Sequence, residues 1–443
     1  MLADHRFEDF SPQPDTISLD RVAVIILGGG QGTRLYPLTK ARCKPAVSFG
    51  GRYTLIDVPI SHALLTGLNK IYVIGQHLAS SLQRHLSKTY HNFLHNDVQL
   101  LVPQENTTYQ GTADAVRQNI QFFSEIDADY FLILSGDQLY NINFQKMIQF
   151  GVERDASMVV AAQPVNGEDA KRMGLLKLAR GESSIIDFCE KPQHDELLKQ
   201  YYIDPFAMNR LGFACQDERN YLGSMGIYLF KKDSLFDLLH NDPRDDFGKH
   251  LIPTQVQKGG GHAYLYDGYW EDIGTIGSYY NANLALTKAA TGKIDVLNCY
   301  DERNQIMTQN YHLPGARISG CFTNASLLCE GSLIEADEIT NSVVGVRSQI
   351  KQGVVIRNSI LMGNSYYEKL NVLKNGELYC PVIDEGTTIS NAIIDENVSI
   401  GKNVRLMNQA NLENYDAPDG KLFVRNHIVV VPSGTCIPDN YTF

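Results

Sequence analysis

No stretch of this 443-residue chain approaches the roughly 18 consecutive apolar residues that a membrane-crossing helix requires. The first 20 residues carry five acids and two prolines and no apolar core, which argues against a secretory leader. Cysteine is sparse: the eight present form no C-x-x-C, as expected of thiols in a reducing compartment. Positive charge is in deficit, 39 basic against 50 acidic residues, so neither nucleic acid nor an anionic membrane is the expected partner. The twelve histidines show no H-x-x-H, which argues against zinc. No Ser/His/Asp or Cys/His arrangement stands out, so no activated nucleophile is evident. The expected setting is cytoplasmic. With 43% apolar residues and this length, two or three domains with sizeable cores are expected.

What is present begins with Gly28-Gly29-Gly30-Gln31-Gly32-Thr33-Arg34-Leu35, directly after the apolar run Val22–Leu27. The run reads as a buried strand, and the glycines let the backbone turn and bring N–H groups close to a ligand. Such an edge suits phosphate, and Arg34 adds a cation able to bridge phosphate oxygens in pairs. The spacing matches neither the dinucleotide pattern, which needs glycine where Leu35 stands, nor the P-loop, which needs Gly-Lys-Ser/Thr. Alone, a glycine-rich loop is as often a tight turn. Its continuation through Arg42-Cys43-Lys44-Pro45 sets further cations just beyond it.

Two periodicities divide the chain. Over residues 21–290, strand-like runs (Val22–Leu27, Ile71–Ile74, Val98–Val102, Phe131–Leu134, Met158–Ala162, Met225–Phe230) alternate with helical stretches (Ile56–Thr66, Ala113–Phe123, Phe144–Arg154, Asp233–Leu239). That alternation predicts an α/β fold with a mostly parallel sheet and ligands at the carboxyl ends of its strands. Residues 1–20 are expected to be an N-terminal arm, and 291–313, which lack a pattern, a linker. Over 314–443, β-formers recur every five or six residues: Ile334, Ile339, Val344, Ile350, Ile356, Leu361, then Ile383, Ile389, Ile394, Ile400, Leu406. A hexapeptide rhythm of this kind predicts a left-handed parallel β-helix, with 364–381 as an inserted loop.

Candidate chemistry lies at strand ends. Asp137 follows the apolar run Phe131–Leu134, and Asp272 follows Ala263–Tyr266. Converging, they would supply hard oxygen ligands for Mg²⁺; separately, Asp137 would serve as a turn cap and Asp272 as the cap of a helix starting near Thr275. Lys191, after Glu190 and before Pro192, is expected in extended backbone, as residues before proline usually are; otherwise it is a solvated surface lysine. Tyr109 precedes a helix start, where it would stack on a sugar or belong to the core. A phosphate loop, three cations (Arg34, Lys44, Lys191) and two carboxylates, with no nucleophile, suit transfer between phosphates, where the barrier is charge repulsion and alignment.

In this order, GGGQGTRLYPLTKARCKPAVSFGG, YQGTADAVRQ, LILSGDQLY, EKP, SMGIY and YWEDIGT resemble the sugar-nucleotide pyrophosphorylases, most nearly the glucose-1-phosphate adenylyltransferases. NSVVGVRSQI and IIDENVSIGK are similar to the plant and cyanobacterial branch. The resemblance implies a Rossmann-like nucleotidyltransferase domain before the β-helix, and adenylyl transfer from ATP to α-D-glucose 1-phosphate, giving ADP-glucose and pyrophosphate for glycogen or starch. It implies that Gly28, Gly29, Gly30 and Arg34 hold the triphosphate with Lys44 beside it, and that Asp137 and Asp272 hold Mg²⁺. Lys191 would grip the sugar phosphate; Tyr109, Gly111, Gly174, Glu190 and Ser224 would line the sugar site, and Gln104 would read the base. Arg34, Lys44, Asp137 and Lys191 are thereby the candidate catalytic residues. A homotetramer controlled by anionic sugar phosphates or phosphate is also implied, although Glu396 and Pro432–Ser433 stand where that branch carries activator-binding lysines. A pyrophosphorylase for another nucleotide sugar and a non-catalytic regulatory subunit are the alternatives.

Overall fold

The computed structural model describes residues 18–91, 97–213, 218–288, 296–368, 371–372 and 378–443. The N-terminal arm expected over 1–20 lies outside them except for 18–20, and so does the 291–295 part of the expected linker.

The first half is built on β1 (Val22–Leu27), β2 (Lys70–Ile74), β3 (Asp97–Leu101), β4 (Tyr130–Ser135), β5 (Gln138–Tyr140), β6 (Met158–Val165), β7 (Gly174–Leu178), β8 (Ile185–Glu190), β9 (Tyr221–Lys231), β10 (Gly261–Leu265) and β11 (Trp270–Asp272). One sheet runs in the order β8-β7-β9-β4-β1-β2-β3, with β6 paired to β9 and β10. From β4 to β3 every pair is parallel; at β9 the direction reverses. Val22 to Ile26 of β1 are fully buried because helices cover both faces of this central strand, which is why it carries no polar side chain. β5 and β11 form a separate two-stranded ribbon, Asp272 opposite Gln138.

The helical run expected over Ala113–Phe123 is two helices, Thr112–Gln118 and Ile120–Ser124, broken at Asn119. The Asn119 amide donates to the Tyr109 hydroxyl at 3.0 Å and to the Ala115 carbonyl at 2.8 Å, so a side chain competes with the helical ladder at that point. The helix Ala79–Thr89 buries only Leu82, Leu86 and Thr89, a stripe too thin to stand out in a polar segment.

In the second half, two-to-four-residue strands stack in parallel on three faces of a β-helix. On one face Ile339, Ile356, Ile389 and Leu406 are in register; on another, Ile334, Ile350, Ile383 and Ile400. Successive coils are 16 or 17 residues apart, just under the 18 of three full hexapeptides, except across the insertion, where the step is 33. Asn341, Asn358, Asn391 and Asn408 turn the corners with positive φ, a conformation asparagine tolerates better than other side chains. The Asn341 amide donates to the Asn358 side-chain oxygen at 2.7 Å, joining successive coils. Residues 364–381 interrupt the rhythm, with Asn371–Val372 paired antiparallel to Leu378–Tyr379. A second interruption escapes the sequence pattern. The hairpin Asn414–Asp416/Phe423–Arg425 leaves the coil and sets the Phe423 ring edge-on to Tyr36 at 5.4 Å.

The two halves share one apolar core: Val343, Ile360, Ile393 and Val430 of the β-helix join the cluster that contains Val24, Leu35 and Tyr279. At Gly51 a Cβ would fall 2.7 Å from Cys329 Sγ, so only glycine allows this approach between them.

His62 of the helix Asp57–Leu65 packs against Tyr140 at 5.5 Å and is 2% exposed. Burial pushes its imidazole down to about 4 from the usual 6.5. The unfolded chain therefore takes up a proton that the native state refuses between those values, and stability must fall as pH drops from 6.5 towards 4. Chemical denaturation at pH 7 and at pH 4.5 should show His62→Leu gaining about 2–3 kcal/mol relative to the parent across that interval.

Candidate active site

The cleft lies at the carboxyl ends of β1 and β4, where the parallel half of the sheet meets the β5–β11 ribbon. Its volume is about 570 Å³. Gly29, Gly30, Arg34, Lys44, Tyr109, Gly111, Asp137, Gly174, Glu190, Lys191, Ser224 and Asp272 all line it, although they span more than 240 residues of sequence. Two candidates do not. Gly28 lies buried behind the loop with its N–H donated to Ile74 O at 2.8 Å, and Gln104 is exposed in the turn after β3.

Gly32 has φ +63°, and a Cβ there would stand 3.0 Å from both Lys44 Cβ and Thr39 Cγ2. Thr39 donates to Gly32 O at 3.0 Å, closing the loop onto the segment that carries Lys44. The Lys44 ammonium lies against the Asp137 carboxylate, which also accepts from Ser135 Oγ. Across the ribbon, Ile273 N donates to Asp137 O at 3.2 Å, bringing Asp272 to the same side of the cleft. Desolvation in the cleft and then the charge of Asp137 push the Asp272 carboxyl up, while Lys44, Arg34 and Lys191 act in the opposite direction and its outer edge faces solvent. Asp272 does not cap the following helix. Thr275 does, in a capping box with Ser278.

Two carboxylates on the same side of the cleft form a suitable donor pair for Mg²⁺, which takes one or two carboxylates and fills its remaining positions with water and phosphate. Among the described residues no group of three or more His, Cys, Asp or Glu side chains gathers at one point, so a dedicated all-protein cage is not the arrangement. The pair fits a metal delivered with a phosphate.

On the opposite wall, Lys191 Nζ lies 3.1 Å from Glu190 Oε1. The expectation of extended backbone fails here. Lys191 has φ +47°, and its N–H reaches Met173 O at 3.0 Å. The β7–β8 hairpin sets that turn and overrides the preference proline imposes on its neighbour, a strained geometry of the kind concentrated at functional sites. Glu190 fits because Gly174 and Gly248 have no side chains; a Cβ at either would come within 2.9 Å of its Oε2. Ser224 is 7% exposed and sits at a bulge in β9, where Gly226 takes φ +69°. Tyr109 is both pocket and core: it lines the cleft, while burial and the Asn119 bond tie its ring down.

Several lining residues carried no sequence signal. Gln76 accepts from Tyr109 N, and Gln138 donates to Met225 O at 2.8 Å. Arg172, one residue before the Met173–Gly174 wall, adds a fourth cation paired with Asp169. Trp270 could have been noticed as the chain's single tryptophan, beside Asp272.

Residues 23–289 match the model of the nucleotidyl transferase family, more than half of the chain, and residues 311–442 match the GLGC left-handed parallel β-helix domain. The chain belongs to the nucleotidyl transferase family. The first half is thus a nucleotidyltransferase domain, the β-helix is of the GLGC type, and no described helix is long and apolar enough to cross a membrane.

Gly32→Ala forces an L side chain into left-handed backbone against Lys44 and should cost about 1–2 kcal/mol in stability. Gly30, with nothing within 4 Å of a Cβ, should accept alanine within about 0.5 kcal/mol. Denaturant titration of the two variants checks both values.

Proposed function

We propose that this nucleotidyltransferase joins the adenylyl group of ATP to α-D-glucose 1-phosphate, releasing pyrophosphate and forming ADP-glucose for α-1,4-glucan synthesis. The observation that carries the reading is a single cleft with two separated cationic walls and an acid pair between them. Arg34 and Lys44 stand beside the glycine loop, Lys191 stands across the cleft, and Asp137 and Asp272 lie between. Two phosphates must be brought together in this reaction, and each wall accommodates one. The GLGC-type β-helix favours glucose 1-phosphate and ATP over other sugar-nucleotide pairs.

In this mechanism the backbone N–H groups of Gly29 and Gly30, with Arg34, bind the triphosphate. Lys44 exchanges its present partner Asp137 for a phosphate oxygen, leaving the carboxylate free to face a cation. Lys191 binds the phosphate of the sugar, while Glu190, Gly174, Ser224, Tyr109 and Gly111 shape the space for the ring. The attacking oxygen is already anionic, so no general base is needed and transfer is direct and in line, without a covalent intermediate. Held by Asp137 and Asp272, Mg²⁺ would supply charge neutralisation on the phosphates. The joint presence of Arg34, Lys44, Asp137, Lys191 and Asp272 supports this reading over a non-catalytic subunit. A cytoplasmic homotetramer belongs to the same proposal. Its response to anionic sugar phosphates or phosphate is expected to be weak, because Glu396 contributes negative charge and engages Arg42 at 2.8 Å.

Pyrophosphate release with Mg²⁺, glucose 1-phosphate and ATP, UTP or dTTP in turn tests the assignment. Turnover with ATP is expected, and turnover with UTP or dTTP alone would replace the proposed nucleotide. Asp137→Asn should lower kcat by about 10³-fold or more with the fold retained; a change within a few-fold would remove Asp137 from the metal site. Lys191→Ala should raise KM for glucose 1-phosphate about tenfold or more while leaving that for ATP nearly unchanged, and the converse would mean the two phosphate sites are exchanged.

A further inference from the structure

Arg42 lies two residues before Lys44 and is 7% exposed, enclosed where the glycine-loop segment meets the β-helix. Its guanidinium pairs with Asp395 and, at 2.8 Å, with Glu396, more than 350 residues away in sequence. Burial works against the charge, but the two carboxylates hold the arginine above its ordinary value. The acids are themselves fixed. Asp395 accepts from the N–H groups of Glu396 at 2.6 Å and Ser433 at 3.1 Å, and Glu396 accepts from Ser48 Oγ.

From Arg42 to the cleft there is little slack. Cys43 N donates to Ser81 Oγ at 3.1 Å, and Lys44–Ala46 form a single tight turn. The Pro45 ring lies 3.3 Å from where a Cβ would stand at Gly28 and again at Gly136, so it is wedged between the glycine loop and the residue before Asp137. Lys44 passes beneath Gly32 to reach Asp137. A displacement of Arg42 therefore has few backbone torsions in which to dissipate before it shifts the Lys44 backbone, from which the ammonium reaches Asp137.

We propose that Asp395 and Glu396 make the β-helix a positioning element of the active site, acting through Arg42 on the placement of Lys44. The proposal rests on the reading of Lys44 as a phosphate-binding cation of nucleotidyl transfer. Its alternative is that the triad only fastens the two halves together. A buried ion pair is by itself weak evidence of stability, because desolvation offsets most of its attraction, so a fastening role and a positioning role separate experimentally.

The test is a double-mutant cycle between Glu396→Gln and Lys44→Ala, read as kcat and as the affinity for pyrophosphate by calorimetry. The Glu396 side chain is 30% exposed at the rim of the cluster, so its neutral isostere keeps the packing. With Lys44 present, Glu396→Gln is expected to lower kcat and pyrophosphate affinity by about fivefold or more, leave KM for the sugar phosphate within about twofold, and leave the melting temperature within a few degrees. With Lys44 already replaced, the same change should alter neither quantity by more than about 1.5-fold. Glu396→Asp should recover part of the loss. Equal factors in both backgrounds, no factor in either, or a lowered melting temperature with unchanged kcat would each overturn the proposal. A parent protein that turns over no nucleotide and sugar phosphate would instead remove the catalytic reading, and the pyrophosphate affinities would still decide whether Glu396 acts through Lys44.

Discussion

The ion pair between Lys44 and Asp137 joins the segment after the glycine loop to the end of the central strand β4, and the architecture around the cleft keeps those two groups opposed. Each would be costly alone in a narrow pocket, since a charge removed from water needs a partner. Together they neutralise one another. The glycine at 32 permits the approach of Lys44, Pro45 sets its origin, and the ribbon β5–β11 brings Asp272 beside Asp137. The opposite wall repeats the device with Lys191 and Glu190.

That arrangement also explains why the mixed sheet suits the task. Parallel strands β1 and β4 end at the same edge and deliver the glycine loop and Asp137 together. The antiparallel additions β7, β8 and β9 return the chain to the same edge and build the second wall, where Ser224 of β9 lines the cleft just before the bulge. The β-helix is no detached appendage. Its side chains complete the core behind the loop, and its acids neutralise Arg42 within it.

Much of this was legible in the chain. The buried strand Val22–Leu27, the hexapeptide period, and the acid after β4 follow from local rules of burial and alternation, which a sequence displays directly. The broken helix at Asn119 was not legible, since it depends on the Tyr109 hydroxyl lying within reach. Nor was the left-handed backbone of Lys191, where hairpin geometry outweighs a dipeptide preference. The hairpin Asn414–Arg425 escaped because its apolar residues divide between two cores, Phe423 packing on Tyr36 while Leu422 and Val424 face the β-helix, so they follow no single period.

By itself, then, the sequence determined the class of each half, a glycine-rich loop directly after a buried strand and the chemical types available at strand ends. All of these rest on neighbours within a few residues, where backbone geometry and side-chain period are set. Only the tertiary structure decided which of those groups meet. It placed Asp272 beside Asp137, left Gln104 and Gly28 off the cleft wall, and turned Glu396 inward to Arg42. Such pairings join residues up to hundreds of positions apart. Their energies depend on distance and desolvation in three dimensions, quantities that no local pattern in a chain encodes.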